Sequence, residues 1–361
     1  MQNREQKRLL PLAGLLLALW LGCRSEGLPL ELVAAPVVPL VPERPDEFSG
    51  DRAVQHLMAL VRLGPRLPGS RSSSRARAYL ATELRRSGAR VRSQRFEIQA
   101  ADAGEALSIT HLIAEIPGDS SDVILLAAPY DTIPGHVTDT GASGPAVLLE
   151  LARVLSLRTR DYSVAFVFLD GESVEVPSKW VDAPVDGERP HERGHLGSRA
   201  FAAHLARDGS LSSIRLAVYF DQLDDPELVV ARDLRSHRAF REVFFRTASA
   251  LGRSDAFPAD RRYASLPGGH MALRRAGLRS VVAIIGDRRA GADAPAPGVD
   301  QVPQPASARS ASLETIGVVS LAAIERISQR LAKIDRFRRS PLQGAKTASA
   351  VGFSREPTLA R

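Results

Sequence analysis

Four apolar runs constrain the fold more than any other feature: "DVILLAAPY" (122–130), "YSVAFVFLD" (162–170), "IRLAVYFDQ" (214–222) and "LRSVVAIIG" (278–286). Each is nearly continuous in Val, Ile, Leu, Phe and Ala, with none of the alternation of a half-solvated strand. Such runs are strands buried on both faces, and strands of that kind belong to parallel sheets covered by helices. Helical stretches stand between them. Residues 142–157 place Val147, Leu148, Leu151, Val154 and Leu155 on one side, with Pro145 in the first turn. "SRAFAAHLA" (198–206), residues 237–251, a stretch from Met271 and residues 312–334 have the same character. Two further helices, one from Asp51 and one over "SSRARAYLATELRRSG" (73–88), precede the strand-like runs "RVRSQRFEI" and "LSITHLIAEI". The expected fold is α/β: three layers, with a mostly parallel twisted sheet and helices on both faces.

The rest of the chain is divided by composition. Residues 1–23 combine a basic start, an apolar "LLPLAGLLLALWLG" and Cys23, the pattern of a secretory or lipoprotein signal. "LWLGC" resembles the lipidation site of bacterial lipoproteins; cleavage near it with plain secretion is the alternative. Either way the chain is expected to be secreted or lipid-anchored in the bacterial cell envelope. Residues 24–50 carry five prolines and no helical period, and read as a linker. Residues 51–335 form the domain. Residues 336–361 lack apolar periodicity and read as a basic disordered tail.

Charge then excludes one class of function. The net charge is +7. Residues 1–8 contribute +2 and residues 336–361 contribute +5, so the body between them sums to zero. A nucleic-acid-binding fold carries its charge on the fold itself, so no nucleic-acid partner is expected. Membrane contact is expected only through a lipid anchor, and the chain is expected to be a monomer.

In open α/β sheets ligands bind beyond the carboxyl ends of the strands. Asp131, His136 and Asp139 follow the first buried run. Asp170 and Glu172 follow the second, and Asp221, Asp224 and Asp225 follow the third. His270, in "LPGGHMALRRAG", precedes the fourth. One such carboxylate is ordinary turn or cap chemistry. Several at one sheet edge, with a histidine, form the donor set of a metal site with a carboxylate spare for proton transfer. Ser143, in "GASGP", is not on a G-x-S-x-G elbow, so a serine hydrolase is not indicated.

The order of these motifs resembles metallopeptidase family 28, the zinc exopeptidases, together with the glutaminyl cyclases that share their fold. "LGPRLPGS", "APYDT", "TDTGASGPAVLLELARVL", "VAFVFLDGES", "GHLGSRAFAAHLA", "FDQLDDPEL" and "GGHMALRRAGLRSVVAII" carry the resemblance over residues 51–335. It implies a zinc-dependent aminopeptidase, or a glutaminyl cyclase, acting on a peptide or small N-terminal substrate. It implies that Asp139, Asp221 and His270 bind metal, that Glu172 is the general base and acid, and that Asp131 orients a ligand.

The departures fall on the same shell. Pro129 stands where the family's "AHYD" has a histidine ligand, and Ser173 where "DGEE" has a second glutamate. Gly268 and Gly269 replace two aspartates before the last histidine. Substitutes could come from His136, Glu175, or Glu188, His191, Glu192 and His195 in 173–196, a stretch read as a solvated polar loop. Impaired zinc chemistry is therefore expected. The alternative is an inactive member, a pseudoenzyme serving as an envelope peptide-binding or structural module.

Overall fold

The computed structural model describes residues 45–99, 106–132, 141–173, 194–259, 268–287 and 306–339. The chain opens with α1 (Gly50–Val61) and α2 (Arg71–Arg86). Each begins at a serine whose side chain accepts from the first turn: Ser49 from the Arg52 N–H at 3.3 Å, Ser70 from the Ser73 N–H at 3.0 Å. A hairpin follows, β1 (Arg90–Gln99) and β2 (Ala106–Ile116). Strands and helices then alternate: β3 (Ser120–Pro129), α3 (Ser143–Ser156), β4 (Tyr162–Leu169), α4 (Leu196–Arg207), β5 (Ile214–Asp221), α5 (Arg238–Ala250), α6 (His270–Arg275), β6 (Val281–Ile285) and α7 (Ala306–Arg339). The last helix is longer at both ends than the 312–334 periodicity suggests. Among the described residues no helix is long and apolar enough to cross a membrane.

The six strands form one mixed sheet in the order β1-β2-β4-β3-β5-β6. β4, β3, β5 and β6 run parallel, and the β1–β2 hairpin joins β4 antiparallel. The four parallel strands are the four apolar runs. The period of two sends alternate side chains to opposite layers. Ile124, Leu126 and Ala128 of β3 pack with Phe166 and Phe168 of β4 against α1, α2, α3, α5 and α7. Val123, Leu125 and Ala127 face the other way, onto Phe201 and Leu205 of α4 and Leu273 of α6. The expected three-layer α/β architecture is what the chain adopts. β3 sits centrally, and the chain leaves it to β4 on one side and returns to β5 on the other. That reversal places a crevice beyond the carboxyl ends of β3 and β5.

His111, in β2, fixes one wall of that crevice. Its Nδ1 accepts from the Asp170 N–H at 3.1 Å, which leaves Nε2 to donate to the Gly197 carbonyl at 3.1 Å. The ring is fully buried, and burial lowers its pKa from 6.5 to about 4. Between those values the unfolded chain binds a proton that the folded chain refuses. The stability His111 contributes is therefore whole above pH 6.5 and lost as pH falls toward 4. Asp131, whose pKa is raised, acts with the opposite sign, so the test is a difference between two proteins. On lowering the pH from 7 to 5, wild type is expected to lose about 2 kcal/mol more urea stability than His111→Gln. Equal losses in the two proteins would remove His111 from the account.

Candidate active site

The turn after β4 sets the geometry. Gly171 has φ +77°, a conformation that side-chain-bearing residues rarely adopt, and it turns Glu172 into the crevice. Glu172 is buried. Its Oε1 accepts from the Ser198 N–H at 2.5 Å, its Oε2 lies 3.1 Å from Nδ1 of His195, and the Tyr219 hydroxyl approaches Oε2 at 3.5 Å. Gly269 passes so close that a Cβ there would stand 2.6 Å from Oε2 and 2.0 Å from Oγ of Ser198. The space that a side chain at 269 would need is thus filled by the Glu172 carboxylate, Ser198 and Tyr219.

His195 precedes α4 and has φ 61°. It is not part of a free polar loop: its ring is paired with Glu172. Burial acts to lower the pKa of His195, but the hydrogen bond and charge of Glu172 outweigh it and raise the value. Burial acts to raise that of Glu172, and the contacts from His195 and Ser198 outweigh it and lower the value. Each group thus favours the charged form of the other.

Asp131 follows β3 and is fully buried. Its Oδ2 accepts from the Ser173 N–H at 2.8 Å, and Oδ1 has no hydrogen-bond partner among the described residues. Burial pushes its carboxyl well above the usual range, and the charges of Asp170 and Glu172 add to the effect. Asp221 closes β5, where its charge acts on His195 and Tyr219. His270 starts α6, fully buried, with its ring 6.0 Å from that of Tyr219. Its Nε2 faces Oδ2 of Asp233 at 3.4 Å. Asp233 in turn accepts from the Ser236 hydroxyl at 2.8 Å.

Glu172, Asp131, Asp221 and His270 thus gather beyond one edge of the sheet, as strand order suggests. Asp139, His136, Glu175, Glu188, His191, Glu192 and Cys23 lie outside the described residues. Pro129 ends β3 and offers no donor, and Ser173, whose backbone N–H meets Asp131, has only a neutral hydroxyl to offer. Among the described residues no three His, Cys, Asp or Glu side chains converge as a metal would require. Catalytic zinc takes three protein ligands. The described donors do not fit it: His270 points to Asp233, and the Asp131 oxygen that would steady a ligand imidazole is unpartnered.

Two participants, Asp233 and Arg66, are given no role by the sequence, and a third, His195, enters there only as one possible substitute ligand in a polar stretch. His195 ends that polar stretch and stands immediately before α4, which begins at Leu196. Asp233 lies on a segment without periodicity. Arg66, in "LGPRLPGS", is fully buried; its Nε donates to the Tyr130 carbonyl at 2.8 Å and its Nη1 to the Leu60 carbonyl at 3.1 Å.

Comparison with known proteins bears on this site. Residues 111–293 match the family described as Peptidase family M28. No curated protein matches the sequence. Among solved structures, a Zn-dependent exopeptidase from Parabacteroides distasonis superposes with a TM-score of 0.64 at 22% identity, covering 78% of this chain and 99% of that one. A leucine aminopeptidase precursor from Bacteroides thetaiotaomicron gives 0.63 at 22%, with 78% and 98% covered. Fimbriiglobus ruber glutaminyl cyclase gives 0.62 at 23%, with 77% and 95% covered. At these identities the likeness is one of fold.

Proposed function

Because the chain belongs to peptidase family M28, we propose that its crevice receives peptide N-termini and that zinc-dependent turnover there is impaired. The family, and neighbours titled as exopeptidases and glutaminyl cyclases, support peptide substrates and zinc as the metal of the lineage. In this reading Asp139, Asp221 and His270 are what remains of the ligand set, Asp131 is the group that steadied a lost histidine, and Glu172 is the acid–base carboxylate. Residues 1–23 deliver the chain to the cell envelope, with Cys23 as the anchor.

The observation that carries the reading is the engagement of Glu172. A general base needs an oxygen free to take a proton. Here Oε1 is held by a backbone N–H and Oε2 by an imidazole. Pro129 and Ser173 add the loss of two donors in the same crevice. The same facts favour a second reading, an inactive member that only binds peptides or serves a structural role in the envelope.

The test is zinc content of the full chain by mass spectrometry, with turnover of alanyl p-nitroanilide and of a glutaminyl peptide in excess zinc. The expected result is substoichiometric zinc and a rate at least about a thousandfold below the ~10 s⁻¹ typical of enzymes. Stoichiometric zinc with turnover that Glu172→Gln abolishes sinks the proposal.

A further inference from the structure

Beside the Glu172–His195 pair lies a pit that the acid–base reading does not use. Its walls are His195 and Arg199 from the start of α4, and Gly268, Met271 and Arg275 around α6. Arg199 is half-buried, and its Nη1 is enclosed without a hydrogen-bond partner among the described residues. Arg275 is exposed at the rim, close enough for its charge to act on the His195 ring. No Asp or Glu is among the described residues that line the pit. The Glu172 carboxylate is paired with His195 of the pit's wall. An enclosed guanidinium N–H without an acceptor is unfavourable, and an anion is the group that satisfies it.

We propose that this pit is a carboxylate subsite, with Arg199 as its principal donor and Arg275 at its rim, and that it selects peptides presenting an acidic group to the crevice. The ligand class rests on the peptide reading above; the pit's preference for an anion rests on Arg199. A guanidinium offers two parallel N–H groups at the spacing of a carboxylate's oxygens. The carboxylate can come from the C-terminus of a dipeptide or from an acidic side chain, and the chemistry at Arg199 is the same.

The experiment compares N-acetylalanine with N-acetylalanine amide, titrated into the full chain and followed through the His195 ring signals by NMR. The carboxylate form is expected to bind at least about tenfold more tightly, as for a charge-assisted contact. Arg199→Gln removes the difference, and Arg199→Lys restores part of it. A urea midpoint on each variant confirms that it is folded. Equal binding of the two probes, or a preference that survives Arg199→Gln, overturns the proposal. Alanyl-alanine, its amide and alanyl-aspartate amide then identify the source. An advantage for alanyl-alanine alone assigns the pit to a C-terminus, and one for the aspartate assigns it to a side chain. No advantage for either overturns the peptide assignment. Zinc-dependent turnover would defeat the impaired-site reading and leave this result intact, because N-acetylalanine has no free amine.

Discussion

A chain carrying Pro129→His and Ser173→Glu is expected to hold one zinc ion per molecule, at least about a hundredfold more tightly than wild type. The supporting shell for the first change is in place. Asp131 is fully buried, with Oδ2 fixed by the Ser173 N–H and Oδ1 unpartnered. An imidazole two residues upstream, at the end of the same strand, would give Oδ1 the N–H it lacks. A carboxylate behind a ligating histidine fixes the tautomer and raises the ring's basicity. The second change replaces a neutral hydroxyl with a charged donor next to Glu172. The backbone cost is small, because Pro129 is the terminal residue of β3, and Tyr130, not residue 129, donates the next hydrogen bond to Leu169.

Competition with a chelator of known affinity measures the gain, and each single variant is expected to give part of it. Binding no tighter than wild type in a folded double variant would mean that the ligand set does not centre on these two positions. The gain in zinc affinity is the prediction; recovered turnover is not, because Glu172 remains tied to Ser198 and His195.

The layers of the fold were readable because burial on both faces leaves a strong mark. β3, β4, β5 and β6 each carry a nearly continuous apolar run, the mark of strands in a covered parallel sheet. The site was readable to the extent that it follows strand ends: Asp131, Glu172 and Asp221 come directly after β3, β4 and β5 or close them. His195 and Asp233 were not readable in the same way. Their roles come from what the fold brings against them, a carboxylate from the β4 turn and a histidine from α6. No spacing along the chain encodes those contacts. The stretch "VDGERPHERGH" that ends in His195 has no apolar anchor, and the positive φ that aims this residue at Glu172 has no signature beyond the neighbouring glycine. Likewise, the consequence of Gly269 appears only once Glu172 and Ser198 are seen packed against it.

Arg66→Met is expected to cost about 3–5 kcal/mol, since it removes several charge-assisted hydrogen bonds worth roughly 1.5–3 kcal/mol each, offset in part by methionine's apolar packing. The side chain has no exposed surface, and it donates to three carbonyls: Tyr130 at 2.8 Å, Leu60 at 3.1 Å and Gly64 at 3.2 Å. Leu60 lies in the last turn of α1, and its carbonyl, which also accepts from the Leu63 N–H at 3.2 Å, takes a further bond from Arg66 at that helix end. Tyr130 is the residue after β3, so the same guanidinium ties the helix end to the mouth of the crevice. The Arg66 N–H adds a bond to Oγ1 of Thr132 at 2.9 Å, closing a bracket around Asp131. Methionine fills much of the volume but donates nothing, so the Tyr130, Leu60 and Gly64 carbonyls each lose a charged donor. Against a total stability of ~5–15 kcal/mol for a domain, that loss is large. Urea unfolding at pH 7 measures it, and Arg66→Lys should recover only part, since an ammonium cannot span carbonyls that the guanidinium reaches through two nitrogens. A loss under about 1 kcal/mol in Arg66→Met, the size of an ordinary surface change, would show that water or neighbouring donors satisfy these carbonyls and that the bracket holds by packing alone.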